Sequence, residues 1–474
     1  MIKRYFILIA CIALLLFSCK DPISEGPPPD PGLDNGQTNN EYVNEWIYDG
    51  MSLFYLWNAS IPNRPNYELN PEDFFESLLY AGDRFSWIQE DFLELLDMLS
   101  GVTPYDIGFE HIPYSYNGEI FGQIAYVKPN TDAEKIGLKR GDYFIKVNGI
   151  MLNATNYWSL LSGSETSVTI TFVDGNTGEI TDKTVKKEAS YAEDPVFFDK
   201  VYEVSGHKIG YLVYNFFASG PTDGSFIYDK KLNDAFGGFK SAGITELVLD
   251  LRYNSGGSMN SATLLGSMIV PDLNTDNIFT KIEYNPLLQW IWIREYGEDS
   301  LLDRLRDKLE TGEAINNVGN TIQSLYVLTT SWTASASELI INNLKPYMPV
   351  VIIGDVTVGK NVGSVLLYED DDPQNKWGML PVALYYFNKD GSADFSDGFV
   401  PDIFEYDNSD KLPLGDLNEC MLKIAVDHIT GTYVPSSVRS VVSGRITAGS
   451  SIERKAWAGK TIVDNPLLKK LPIR

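Results

Sequence analysis

The chain has 474 residues, 44% hydrophobic and 22% charged, with a formal net charge of −26. This is an ordinary globular composition, long enough for more than one domain. The acidity argues against nucleic acid and anionic membrane surfaces as partners, since both need a basic face, and three His and three Cys leave little for a His-centred metal site and no disulfide framework.

Residues 1–18 read as a signal peptide, with Lys3 and Arg4 ahead of an apolar stretch over 5–17 that is too short to span a bilayer comfortably. Leu16-Phe17-Ser18-Cys19 resembles a bacterial lipobox, which would make Cys19 the lipid attachment site; the plain alternative is a secretory signal with a chance cysteine. Residues 19–40, rich in Pro, Gly, Asp and Asn, read as a flexible tether between a lipid anchor and a folded domain.

Residues 41–100 read as a small helical domain. Val43, Trp46, Ile47, Met51 and Phe54 have helical spacing within 41–57, a second helix covers 71–79 with Asn70 as N-cap and Pro71 at its first position, and a third covers 87–99. Asp83-Arg84-Phe85-Ser86-Trp87 reads as a turn.

Residues 101–190 change to β-type runs at 123–127, 143–147, 167–173 and 183–187. Between the first two come a short helix closed by Gly137 and a Gly141-Asp142 turn, and the second runs into Asn148-Gly149, a strong hairpin signal. This order resembles a PDZ domain of the bacterial protease type, which implies capture of a polypeptide C-terminus by strand addition. The alternative is a small β-domain without a ligand.

Residues 195–430 read as α/β: strands at 208–214, 246–251, 324–329 and 350–354, and helices at 223–237, 259–270, 335–344 and 414–429, with a polar insertion at 301–309. Residues 431–474 are weakly patterned and carry no assignment.

Three segments of this α/β region carry chemistry. Asp250-Leu251-Arg252-Tyr253-Asn254-Ser255-Gly256-Gly257 ends a buried strand, and its glycines can turn sharply and present amides to an oxyanion. Thr333-Ala334-Ser335-Ala336-Ser337-Glu338 follows another strand and opens a helix, where developing negative charge is favoured; the same S-x-x-E spelling is that of a helix capping box. Thr357-Val358-Gly359-Lys360 follows a third strand and is either a surface Lys in a Gly-flanked turn or a Lys in a dry site, neutral enough to accept a Ser proton.

Together these segments resemble the carboxy-terminal processing (tail-specific) proteases, relatives of the tricorn core. Further matches are Ile209-Gly210-Tyr211 with Phe216, and Asp390-Gly391 followed by Gly398, Pro401 and Asp402. The resemblance covers 41–430. It implies a multidomain α/β (α+β) protein: a small N-terminal helical domain, a PDZ-like β-domain and a crotonase/ClpP-like α/β serine protease core. In that family a Lys 25 residues after the Ser completes a dyad. Lys360 is 25 residues after Ser335 and 23 after Ser337, so Ser335 is the implied nucleophile and Lys360 the base. The implied oxyanion donors are the backbone N–H of Ala336 and of Gly256 or Gly257. Many members carry Gln four residues after the Lys, where it helps orient the base; here it is Ser364, a third catalytic candidate that could hydrogen-bond Lys360 with a shorter reach. The tricorn branch uses a His, for which His207 is the candidate near the start of the core.

The reading is a serine endopeptidase facing the periplasm or cell surface, with no metal or organic cofactor. Its partners would be polypeptides taken through their free C-termini, with no nucleic acid and with membrane contact only through the N-terminal lipid. Two rivals remain: a PDZ-containing peptide-binding lipoprotein with an inactive core, and an esterase or amidase on the same Ser-Lys site.

Overall fold

The computed structural model describes residues 38–116, 119–175, 177–407, 411–435, 450–455 and 460–463. The expected signal peptide and Cys19 lie outside these residues.

Helix α1 (Asn39–Phe54) begins at a capping box: Glu41 N–H donates to Thr38 Oγ1 at 3.2 Å, and Thr38 N–H to the Glu41 carboxylate at 2.7 Å. Its apolar stripe of Val43, Trp46, Ile47, Met51 and Phe54 is fully buried. Helix α2 (Pro71–Leu78) starts as its spelling predicts, with Asn70 Oδ1 accepting Asp73 N–H at 3.0 Å. The helix expected over 87–99 is divided. Trp87–Gln89 is a strand, β1, and α3 (Phe92–Leu99) begins at Asp91, whose side chain accepts Leu93 N–H. The reason is tertiary: β1 pairs antiparallel with a distant core strand, Gly378–Leu380. Phe54 and Phe74 belong to the same hydrophobic cluster as the α/β core, so these helices are packed onto it rather than standing apart.

The β-domain contains β2 (Val102–Asp106), β3 (Phe109–Tyr116), β4 (Glu119–Val127), α4 (Asp132–Lys135), β5 (Tyr143–Val147), β6 (Ile150–Met151), α5 (Ser159–Ser162), β7 (Ser167–Val173), β8 (Ile180–Lys186) and β9 (Glu188–Ala192). Its antiparallel sheet runs β3-β4-β5-β7-β8 with β6 on β5, so β3 is an edge strand. Asn148 and Gly149 both have positive φ, 50° and 76°, the backbone that joins β5 to β6 tightly. Phe109, Ile124, Phe144 and Ile170 form a core separate from the rest of the chain.

The α/β region contains β10 (Val196–Val204), β11 (His207–Tyr214), α6 (Ile227–Ala242), β12 (Glu246–Asp250), β13 (Gly256–Ser258), α7 (Met259–Ile269), β14 (Ile278–Tyr284), α8 (Pro286–Tyr296), β15 (Leu302–Arg304), β16 (Leu325–Thr329), α9 (Ala336–Leu344), β17 (Val350–Gly354), β18 (Val362–Val365), β19 (Leu367–Tyr368), β20 (Gly378–Leu380), β21 (Val382–Phe387), β22 (Ile403–Phe404), α10 (Cys420–Ile429) and β23 (Lys460–Val463). One sheet runs β10-β11-β12-β16-β17-β22 and is parallel from β11 to β22. β12 and β16 are buried at every position, which is why they read as continuous apolar runs. α10 packs on one face of the sheet, and Phe236 of α6, Leu265 of α7 and Leu339 of α9 lie in the cluster on the other.

Two expected helices shift. The one placed at 223–237 occupies Ile227–Ala242 and stops at Gly243, whose φ is 66°. The one placed at 414–429 begins only at Cys420, where Glu419 accepts Leu422 N–H. A second sheet, β13-β23-β18-β21-β14-β15, has no counterpart in the sequence reading, and its edge strand β15 lies within the expected polar insertion.

Candidate active site

The site forms where β12, β16 and β17 end, the carboxyl edge of a parallel sheet. Ser335 is fully buried between β16 and α9, with φ 64° and ψ −116°. An L-residue rarely adopts this backbone, and holding it there costs on the order of 1–3 kcal/mol. The strain turns the chain sharply and puts the serine at a helix N-terminus, beside amides that lack intrahelical acceptors.

Glu338, one turn into α9, is fully buried. Its Oε2 accepts Ser335 N–H at 2.8 Å and Lys360 N–H at 2.9 Å. Its Oε1 accepts Gly359 N–H at 2.7 Å and Thr357 Oγ1–H at 2.5 Å. One carboxylate therefore fastens the Ser335 turn to the Lys360 loop. Burial raises its pKa above the usual carboxylate range, and the four donors pull it part of the way back.

Lys360 is fully buried. Its Nζ lies 5.2 Å from the centroid of the Phe85 ring, and Tyr386 OH donates to its carbonyl. Gly359, at φ 86°, has no room for a side chain, since a Cβ would come 2.3 Å from Ser396 O. Arg84 donates to Gly359 O at 3.2 Å. The Asp83-to-Trp87 turn is thus part of the site wall, held by Asp83 Oδ1, which accepts Phe85 and Ser86 N–H.

The glycine loop after β12 is tied to both neighbours. Asn254 Nδ2 donates to Tyr214 O at 2.8 Å, Ser337 Oγ donates to Asn254 O at 3.0 Å, and Thr333 Oγ1 donates to Leu251 O at 2.9 Å. Gly256 N–H donates to Asn254 Oδ1 at 2.9 Å, which commits that amide in this conformation. Gly257, at φ 132°, leaves 2.1 Å between a notional Cβ and Phe217 O. Arg252, fully buried, donates to the carboxylates of Asp250 at 2.9 Å and Glu419 at 3.0 Å, so the Asp-x-Arg spelling is a buried ion pair that docks α10 on the strand end.

The structure therefore gathers Ser335, Ala336, Lys360, Gly256 and Gly257 around one carboxyl edge. Ser364 is fully buried in β18, but its Oγ makes no hydrogen bond among the described residues, so the expected bond to Lys360 is not formed. Its main chain is committed to the sheet, opposite Val382 and Ile462. His207 is at the wrong end: it begins β11 and lies 3.1 Å from Glu246, the first residue of β12, whereas the glycine loop follows the last. His111 contacts Tyr157 inside the β-domain, and His428 contacts Tyr326 beneath α10. Sequence reading missed the wider role of Glu338 and the contribution of Phe85 and Arg84. The signal for the first was a carboxylate inside an apolar helix, Leu339 to Ile341 following it directly.

Residues 208–404 match the peptidase family S41 model, and residues 42–87 match the peptidase S41 N-terminal domain. A crystal structure from Bacteroides fragilis NCTC 9343, of a protein assigned to the S41 proteases, superposes with a TM-score of 0.68 at 28% identity, covering 82% of this chain and 98% of that one. The carboxy-terminal processing protease CtpA of Bacillus subtilis is 26% identical over 306 residues, 63% of this chain and 57% of that protein. A CtpA-like protein of Staphylococcus epidermidis is 24% identical over 289 residues, 59% of this chain and 50% of that protein. The matches thus span between half and three-fifths of these curated relatives. Fold and matches together define a chain of the S41 peptidase class. The chain belongs to peptidase family S41, the family of the carboxy-terminal processing proteases.

Proposed function

We propose that this chain is an extracytoplasmic serine endopeptidase in which Ser335 attacks a peptide carbonyl and Lys360 takes its proton. The observation that carries the reading is the Glu338 carboxylate, whose single oxygen Oε2 holds the main chains of both residues in one buried site. A neutral Lys360 amine accepts the Ser335 hydroxyl proton as the Ser Oγ–carbonyl bond forms. The tetrahedral oxyanion takes hydrogen bonds from Ala336 N–H and, with Gly256 N–H already committed, from Gly257 N–H. Lys360 returns the proton to the leaving amine, and a water then hydrolyses the acyl-enzyme by the same route. In this reading Ser364, whose Oγ makes no hydrogen bond among the described residues, takes no part in orienting the base.

The β-domain is read as a PDZ-like module that takes the free C-terminus of the substrate, and Cys19 as the lipidated N-terminus of the exported protein. Among the described residues no helix is long and apolar enough to cross a membrane. Turnover of an unfolded polypeptide by wild type and its absence in Ser335→Ala tests the assignment. Equal turnover removes Ser335 from the chemistry, no turnover in either favours the inactive peptide-binding rival, and ester turnover without peptide turnover favours the esterase.

A further inference from the structure

The sheet that carries two of the catalytic loops is completed by the end of the chain. β23 lies between β13 and β18 and runs parallel to both. Gly256, Gly257 and Ser258 stand opposite Lys460, Thr461 and Ile462, and Ser364 and Val365 opposite Ile462 and Val463. β13 holds the glycines of the oxyanion loop, and β18 starts two residues after Lys360. Neighbouring strands are about 4.8 Å apart, so β13 and β18 face each other across about 10 Å, the width taken by one extended chain. A gap flanked by two strand edges recognises main-chain N–H and C=O groups, which any extended polypeptide offers.

The same tail also holds the edge strand of the β-domain. Ser451 N–H donates to His111 O at 3.0 Å, and His111 N–H donates to Ser451 Oγ at 2.8 Å, on β3. Ile452 is fully buried in a cluster with Ile112, Tyr126 and Trp332. Trp332 Nε1 donates to Glu453 at 2.9 Å, three residues before Ser335, and Lys455 pairs with Glu110 at 3.1 Å and Glu193 at 2.9 Å. Residues 450–455 are therefore an anchor between the β-domain and the nucleophile turn, five residues ahead of β23 in the sequence.

We propose that the C-terminal segment is an intramolecular ligand of this peptidase: residues 460–463 fill the polypeptide slot between β13 and β18, and a substrate strand enters only when they leave. The proposal rests on the reading of Ser335 and Lys360 as the dyad, because that reading makes the slot the substrate position. A tethered competitor acts at millimolar effective concentration and lowers apparent affinity by the fraction of time the slot is filled.

The test separates occupancy from catalysis. Ile462→Pro removes a main-chain donor from a strand flanked on both sides, where no ladder position tolerates it, and leaves the 450–455 anchor intact. Binding of a fluorescein-labelled peptide with the sequence of residues 456–467 is measured by anisotropy, on the full chain carrying Ser335→Ala with and without Ile462→Pro. The double variant is expected to bind about tenfold more tightly or better. Thr461→Pro, made independently, should do the same, and thermal melts show that each variant is folded. Equal affinity with and without the proline, or no binding to either form, overturns the proposal. With Ser335 intact, Ile462→Pro should raise kcat/KM on a fluorogenic peptide several-fold. If no form cleaves but the affinity difference holds, the dyad reading fails and the intramolecular ligand stands.

Discussion

The ring of Phe85 lies 5.2 Å from Lys360 Nζ, so a side chain from the N-terminal helical region covers the residue assigned as base. Two effects oppose each other there. The ring face favours a charged amine by about 1 kcal/mol, and exclusion of water disfavours it. Phe85→Ala admits water, and the acid limb of its pH–rate profile is expected to move to higher pH, with turnover at neutral pH down about tenfold. Phe85→Leu keeps the apolar cover without the ring face, and its limb should move slightly the other way. Profiles of kcat/KM against pH for the three proteins decide it; superimposable curves would detach Phe85 from the base.

Lys360→Ala and Ser335→Ala should each abolish turnover to a similar extent, and the double variant should be no worse, because the two groups act as one unit. Lys360→Arg should not restore activity, since a guanidinium stays charged. Near-normal turnover in Lys360→Ala would end the dyad assignment.

Glu338→Gln places an amide NH2 among four donors that now converge on a carboxylate. Its expected effect is a fall in kcat of about 100-fold, about 2.7 kcal/mol of barrier, with KM changed little. The fold should lose about 1–3 kcal/mol for the donors left without acceptors. Chemical denaturation and the split between kcat and KM are the measurements. A loss confined to stability would make Glu338 a packing residue only.

Ser364→Ala removes a buried hydroxyl that makes no hydrogen bond among the described residues. Replacing such a group by an apolar one is near neutral or stabilising. Turnover should stay within about threefold of wild type, under about 0.7 kcal/mol of barrier. A 100-fold loss would show that Ser364 does orient Lys360 during turnover.

Burial pulls His111 down to about 4, against about 6.5 for an imidazole in water. Glu110 opposes the shift and Lys128 adds to it, both less than burial does, and Tyr157 OH sits 2.8 Å from Nδ1. A folded value below the unfolded one means the native state holds the neutral ring. That stabilisation, on the order of 3 kcal/mol, is complete above about pH 6.5 and is lost as pH falls towards 4. The urea midpoint of wild type should therefore lose ground to that of His111→Gln between pH 7.5 and pH 4.5. A gap that stays constant with pH would contradict a buried neutral His111.

Elements with local causes can be read directly from the amino-acid order. Asn70 and Pro71 start α2, the Asn148-Gly149 turn joins β5 to β6, and the central residues of β12, β16 and β17 show as apolar runs. It also carried the nucleophile and base candidates, through the family resemblance of three turn segments and the 25-residue spacing from Ser335 to Lys360; each segment alone reads as well as a helix cap or a surface turn. Other features depend on partners far along the chain. Trp87–Gln89 is a strand because Gly378–Leu380 lies beside it, and β13, β18 and β23 are too short to show a period of their own. S-x-x-E spells a capping box in any helix; that Glu338 also holds Lys360 is visible only once the loop after β17 is folded against α9. The same holds for Ser364, whose spacing from Lys360 suggested a partner, while strand geometry holds its main chain opposite Val382 and its hydroxyl makes no hydrogen bond among the described residues. Local propensity acts over a few residues, whereas the site is assembled by long-range pairing that no window of sequence contains.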